Sequence, residues 1–111
     1  MGDLTWKEFE KVEMRIGTVI QSEMFPEAHN PSYKLWIDFG QFGIKKTSAQ
    51  ITDLYKPEEL IGKQIVAVIN FPSKQIATMQ SECLILGGIG QNKEVTLLST
   101  DKKVENGIRV G

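Results

Sequence analysis

The chain has 111 residues, the size of one domain, and its 41% hydrophobic and 24% charged content is that of a folded globular protein, which excludes a disordered tail. Its single cysteine, Cys83, excludes an intrachain disulfide and fits a reducing compartment. Thirteen Lys and Arg against fourteen Asp and Glu leave a net charge of −1, so no bulk positive charge draws the protein to nucleic acid and any such site must be a local concentration of lysine.

The first element is a short helix over Trp6 to Lys11. Thr5 is its N-cap, Glu8 completes a capping box, and Leu4 and Phe9 stand at the staple positions. A β-branched stretch from Ile16 to Ile20 reads as a strand, with Gly17 marking a bulge or sharp coil. Phe25 to Tyr33 is a loop punctuated by Pro26, Asn30 and Pro31. Lys34 to Phe39 alternates: Leu35, Ile37 and Phe39 share one face, and Lys34, Trp36 and Asp38 share the other, as in a half-buried strand. Gly40 to Gly43 is a turn, and Ile44 to Ile51 a more polar strand. Pro57 with Glu58 and Glu59 begins a turn or two of helix. Gln64 to Asn70 is a buried strand and Phe71 to Gln80 a loop, followed by strands over Cys83 to Leu86, Val95 to Leu98 and Ile108 to Val110. Three strands, a short helix, then two or more strands predict an all-β fold: a five-stranded Greek-key barrel of the OB-fold type, with a short helix between strands three and four. A β-sandwich, the structural competitor, has about seven strands and no interposed helix.

No linker, repeat or low-complexity tract divides the chain, so residues 1–111 read as a single domain. The first residues hold no apolar core of signal-peptide length, and the longest apolar run, Ile65 to Ile69, is too short to cross a bilayer. A cytoplasmic protein without membrane insertion is the expectation. Acids are unevenly spread. Phe39 to Thr52 holds Lys45 and Lys46 and no acid, and Leu60 to Ser81 holds Lys63 and Lys74 and no acid. A fold that joins these stretches makes a locally positive face.

Four segments carry a family resemblance: Val12-Glu13-Met14-Arg15-Ile16-Gly17; Phe25-Pro26-Glu27-Ala28 with Tyr33 to Gly40; Gly43 to Ile51; and Val68 to Ala77 followed by Ser81-Glu82-Cys83-Leu84-Ile85-Leu86-Gly87. In this order and spacing the chain resembles the tRNA-binding domain shared by CsaA-type export chaperones, bacterial tRNA-binding proteins and the C-terminal domains of some methionyl-tRNA synthetases, with its loops most like the CsaA branch. The resemblance implies terminal extensions on the barrel that pack two copies into a homodimer. It also implies binding of tRNA and, for the CsaA branch, of unfolded or presecretory polypeptides. The family's usual Ser-Glu-Gly-Met stands here as Ser81-Glu82-Cys83-Leu84, and Ser73-Lys74 and Thr78 stand where members often carry an arginine pair and a glycine.

The candidate tRNA-binding residues are Lys34, Lys45, Lys46, Asn70, Lys74, Ser81 and Glu82. Lys45 and Lys46 are adjacent in a strand and point to opposite faces, so at most one serves a given groove. Asn70, Ser81 and Glu82 flank the segment matching the family's binding loop; they bond either to looped-out nucleotides or to the loop's own backbone. Tyr33, Phe71, Ile76 and Met79 are the candidate peptide-binding residues: exposed together they would offer adaptable apolar contact or stack on bases, whereas buried they are core. Trp36 reads first as a dimer-interface residue and second as a stacking platform.

Enzyme chemistry finds little material. His29 is the lone histidine, in a Pro-flanked loop, and Ser81 beside Glu82 is no triad. Gly87-Gly88-Ile89-Gly90 lacks the lysine and helix of a phosphate loop. The expectation is a binding protein with no catalytic residue, no cofactor and no metal.

Overall fold

The computed structural model describes residues 2–111. Helix α1, Trp6–Glu10, buries none of its residues and is held by its cap. The Glu8 N–H donates to Thr5 Oγ1 at 3.1 Å while the Thr5 N–H donates to Glu8 Oε1 at 3.0 Å. These bonds hold the Glu8 carboxyl below the usual carboxylate range.

Strand β1, Met14–Met24, is the centre of the fold. On one side, Met14 to Thr18 pairs antiparallel with β4, Gln64–Val68. On the other, Met14 and Arg15 pair with the last strand, β10 (Arg109–Val110), and Thr18 to Met24 pairs with β2, Tyr33–Asp38. Strand β3, Ile44–Ala49, lies outside β2, and β7, Leu84–Ile85, lies outside β4. The order β3-β2-β1-β4-β7, with the short helix α2 (Pro57–Leu60) between the third and fourth strands, is the expected OB-fold. The sheet curls until Lys46 of β3 meets Glu82 just ahead of β7, which nearly closes the barrel.

The core follows the period of two. Leu35, Ile37 and Phe39 are fully buried, as are Ile65 and Ala67 of β4, and Val19, Ala49, Ile51 and Leu60 complete the cluster. Each fully buried side chain of Leu, Ile or Phe size contributes about 1.5–3 kcal/mol, so this set supplies most of what orders a barrel this small.

Three sequence expectations need correction. Gly17 marks no bulge. It sits in regular pairing, and a Cβ there would lie 2.6 Å from Ile37 Cγ2 and 2.7 Å from the Phe39 ring, so glycine is needed for close packing. The register shift falls between Val19 and Gln21 instead. The stretch Phe71 to Gln80 is not a loop throughout: β5, Lys74–Ile76, and β6, Met79–Ser81, form a hairpin with Ala77 at φ 49° in its turn. Cys83 precedes β7 rather than lying in a strand, and the Gly87 stretch is β8, Gly87–Ile89, which pairs with β9, Val95–Leu97.

Side chains fasten the terminal segments to the barrel. Gln64 Nε2 donates to the Val104 carbonyl at 2.7 Å, and its Oε1 accepts from the Val104 N–H at 3.0 Å. Arg15 pairs with Glu13 at 3.0 Å, donates to the Gly107 carbonyl at 3.2 Å and lies 4.3 Å over the Phe42 ring. Arg109 donates to the Glu10 carbonyl at 2.9 Å. No helix among the described residues is long and apolar enough to cross a membrane.

Candidate nucleic-acid interface

The outer face of β2 and β3 is set by their register. Lys34 pairs with Ser48, Trp36 with Lys46 and Asp38 with Ile44, and all six point away from the core that Leu35, Ile37, Thr47 and Ala49 fill. Lys45 pairs with Ile37 and therefore lies on the inner side, at the end of the barrel. Its charge opposes the burial that pushes the Cys83 thiol up to about 12. Lys45 and Lys46 thus serve opposite faces.

The β5–β6 hairpin rests on β3 through hydroxyls and a carboxylate. Thr47 Oγ1 donates to the Cys83 carbonyl at 2.8 Å, so its one proton is committed and the Ser81 hydroxyl, 3.0 Å away, is the donor to it. The Lys46 N–H donates to Glu82 Oε1 at 3.0 Å and the Glu82 N–H donates to the Lys46 carbonyl at 2.8 Å. Lys74 pairs with Ser81 across the hairpin, and its side chain is exposed. These contacts bring Glu82 to the main chain of Lys46, and Ser81, with Lys74 across from it, to Thr47, while the Lys46 side chain stands on the outer face beside Trp36.

The other candidates lie elsewhere. Lys34 is on the outer face, but its ammonium sits 4.0 Å from Glu27 and 4.9 Å over the Phe25 ring. Asn70 donates from Nδ2 to the Lys11 carbonyl at 2.7 Å and accepts the Glu13 N–H at 3.0 Å. It fastens the N-terminal segment to the end of β4. Among the described residues the ion pairs are Arg15–Glu13 and Lys34–Glu27, which leaves the ammonium groups of Lys45, Lys46 and Lys74 with no carboxylate within 4.0 Å.

Two of the four apolar candidates are corrected. Tyr33 is 5% exposed because it takes an inward position on β2, where its hydroxyl donates to the Tyr55 carbonyl at 2.7 Å. Burial and the nearby carboxylates of Glu58 and Glu59 raise its pKa. Met79, the first residue of β6, is also 5% exposed. Ile76 is half-buried. Phe71 is 57% exposed and borders, with Pro72, Lys74, Ser81, Cys83 and Leu84, a cavity of about 240 Å³.

Sequence reasoning missed two features. Thr47, the buried hydroxyl that joins hairpin to barrel, is unremarkable in a polar strand and carries no signal. The second is an apolar surface at the N-terminus: Trp6 is 80% and Leu4 69% exposed, and Trp6 meets Phe9 edge to face at 6.4 Å between ring centres. The sequence places Leu4 and Phe9 only at the staple positions of the helix. An aromatic in the first turn of a helix too short to bury a face was the available signal.

A nearly closed five-stranded barrel that carries lysines on its second and third strands defines an OB-fold binding module, the class that presents this face and its flanking loops to ligands. Residues 14–109 match the family model described as a putative tRNA binding domain, and the chain belongs to that family, as the four segments imply. The structure is similar to that of the chaperone CsaA from Bacillus anthracis str. Ames, with a TM-score of 0.94 and 45% identity over 99% of this chain and 100% of that one. It is similar too to the CsaA chaperone protein from Picrophilus torridus, with a TM-score of 0.91 and 45% identity over 98% of this chain and 100% of that one. A methionine–tRNA ligase of Bdellovibrio bacteriovorus is 31% identical over 108 residues, which are 97% of this chain and 16% of the ligase. The chain thus spans only a small part of that enzyme's length.

Proposed function

We propose that this chain is a non-catalytic, cytoplasmic, homodimeric protein that binds tRNA through the outer face of β2 and β3 and the β5–β6 hairpin, and that it holds unfolded or presecretory polypeptides. The observation that carries the tRNA half is the docking of the hairpin that bears Lys74, through Ser81 and Glu82, against the strand that bears Lys46, with both ammonium groups free of carboxylates within 4.0 Å among the described residues, on a domain of the tRNA-binding family. A phosphate backbone meets unneutralised ammonium groups there despite the net charge of −1. Lys34 and Lys45 flank this centre from the outer face and the barrel end.

The polypeptide half rests on the likeness to two CsaA chaperones and on the cavity beside the exposed Phe71. Phe71 and Ile76 are the peptide contacts of this reading. The dimer half rests on the uncovered Leu4, Trp6, Val12 and Ile108 near the two termini, an apolar surface suited to a second copy. A dedicated tRNA-binding accessory protein without chaperone work is the alternative, and the burial of Tyr33 and Met79 favours it by leaving Phe71 and the half-buried Ile76 as the apolar candidates for a peptide.

Titration of tRNA across a salt series tests the first half. A steep loss of affinity between low and physiological salt is expected, and no binding at low salt would sink it. Suppression of aggregation of an unfolded client decides between chaperone and accessory protein, and light scattering of the eluted protein reads the dimer.

A further inference from the structure

Trp36 is the aromatic residue at the centre of the outer sheet face. It lies on β2 with Lys46 directly across on β3 and Gln21 directly across on β1. It is half-buried, and its indole N–H has no hydrogen-bond partner in the protein yet is not a buried orphan, so it reaches solvent. A large flat ring at the middle of a sheet face, with an ammonium beside it, matches the chemistry of base stacking more closely than that of a protein interface. Interface cores are depleted of charge, whereas single-stranded nucleic acid sites pair aromatic rings with cations that track the backbone.

The surroundings agree. Among the described residues the Lys46 ammonium has no carboxylate within 4.0 Å. The nearby acids are engaged in other bonds: Glu82 accepts the Lys46 main-chain N–H at 3.0 Å, Glu23 accepts from Gln21 Nε2 at 2.8 Å, and Asp38 accepts from the Gly40 N–H at 2.8 Å. Ser48 and Lys34 add a hydroxyl and a second ammonium on the same face. The more apolar surface around Leu4 and Trp6 is the better place for a second copy, which leaves the Trp36 face open.

We infer that Trp36 is a stacking platform for an unpaired base of a single-stranded or looped RNA segment, with Lys46 holding the adjacent phosphate. The inference rests on the tRNA-binding reading and narrows it to unpaired nucleotides. Paired A-form RNA hides its base faces, so it offers this site only phosphates.

The chain has two tryptophans, so Trp6→Phe leaves Trp36 as the sole indole reporter. Three probes are titrated into that variant: tRNA, a single-stranded oligouridylate of about 12 nucleotides, and an RNA duplex of the same length. The expected result is quenching of Trp36 emission by tRNA and by oligouridylate but not by the duplex. Trp36→Ala should weaken oligouridylate binding about 10-fold or more, while Trp36→Phe, which keeps a ring and the fold, should lose only a few-fold. Binding of tRNA measured by filter retention, with no change in Trp36 emission and no effect of Trp36→Phe or Trp36→Ala, would overturn the platform and leave the tRNA-binding reading intact. Failure of every RNA to bind would overturn both. Emission that changes with protein concentration alone, lost together with the dimer in Trp36→Phe, would assign the residue to a copy interface and also overturn the inference.

Discussion

The carboxylate of Glu82 takes the place of a backbone carbonyl beside Lys46. It accepts the Lys46 N–H at 3.0 Å while its own N–H donates to the Lys46 carbonyl at 2.8 Å. Strand β3 is the edge of the sheet, and an unpaired edge is an invitation to other strands. Here one residue covers that edge from both its main chain and its side chain, and this contact carries the curl of the sheet almost to closure. The same residue therefore orients the hairpin that presents Lys74.

Glu82→Ala should lower stability by about 2 kcal/mol, because it strips a charge-assisted bond from a half-buried N–H. Glu82→Gln keeps an acceptor oxygen and should lose less than about 1 kcal/mol. Urea unfolding of both variants measures the difference. Equal losses would mean that the carboxylate acts by charge and not as a stand-in for a carbonyl.

Gly17→Ala should lower stability by about 2 kcal/mol through overpacking, since the new methyl would sit 2.6 Å from Ile37 and 2.7 Å from the Phe39 ring. Removing the clashing Cγ2 in Ile37→Ala should make Gly17→Ala less costly than it is in the native background, which a double-mutant cycle in urea reads directly.

The Cys83 thiol should be inert in the native protein. Burial pushes it up to about 12 from 9.0, with Glu82 acting in the same direction and Lys45 and Thr47 opposing. At pH 8 a thiol reagent should label it far faster in urea than in buffer. The folded state holds this proton more tightly than the unfolded one. The stability it contributes is therefore complete below about pH 9 and is lost as pH rises from there toward 12. Unfolding midpoints between pH 8 and 11 should fall more steeply for this protein than for Cys83→Ala.

Lys46→Glu and Lys74→Glu should each weaken tRNA binding and reduce the slope of log affinity against log salt by roughly 0.7 to 0.9 for each phosphate contact removed. Lys45→Glu, on the inner side of the barrel, should change that slope least. Filter binding across a salt series distinguishes the three, and an effect confined to Lys45→Glu would move the interface to the barrel end.

The strands with one face in the core were legible because burial imposes a period of two. Leu35, Ile37 and Phe39 alternate with Lys34, Trp36 and Asp38 in the chain as they do in space. The cap of α1 was legible because Thr5 and Glu8 interact three residues apart. The hairpin of β5 and β6 was not. Its two-residue turn carries Ala77 at φ 49°, where glycine or asparagine is the usual signal, and its acid-free, Pro-opened sequence reads as loop. Gly17 stands out in its β-branched strand, but along one strand close approach to Phe39 has the same signature as a bulge.

By itself the sequence determined the order of the barrel's first three strands, the helix after them and the buried fourth strand, the inward set of the second strand and, through four spaced segments, the family. Each of these depends on neighbours in the chain or on a pattern repeated along it. Tertiary structure alone decided which candidates meet: Lys46 with Glu82, Thr47 with Ser81, Asn70 with Lys11, and Tyr33 and Met79 enclosed in the core. The physical reason is that these pairings span 34 to 59 residues and exist only once a curled sheet brings its edge back to the segment ahead of β7 and fastens its ends.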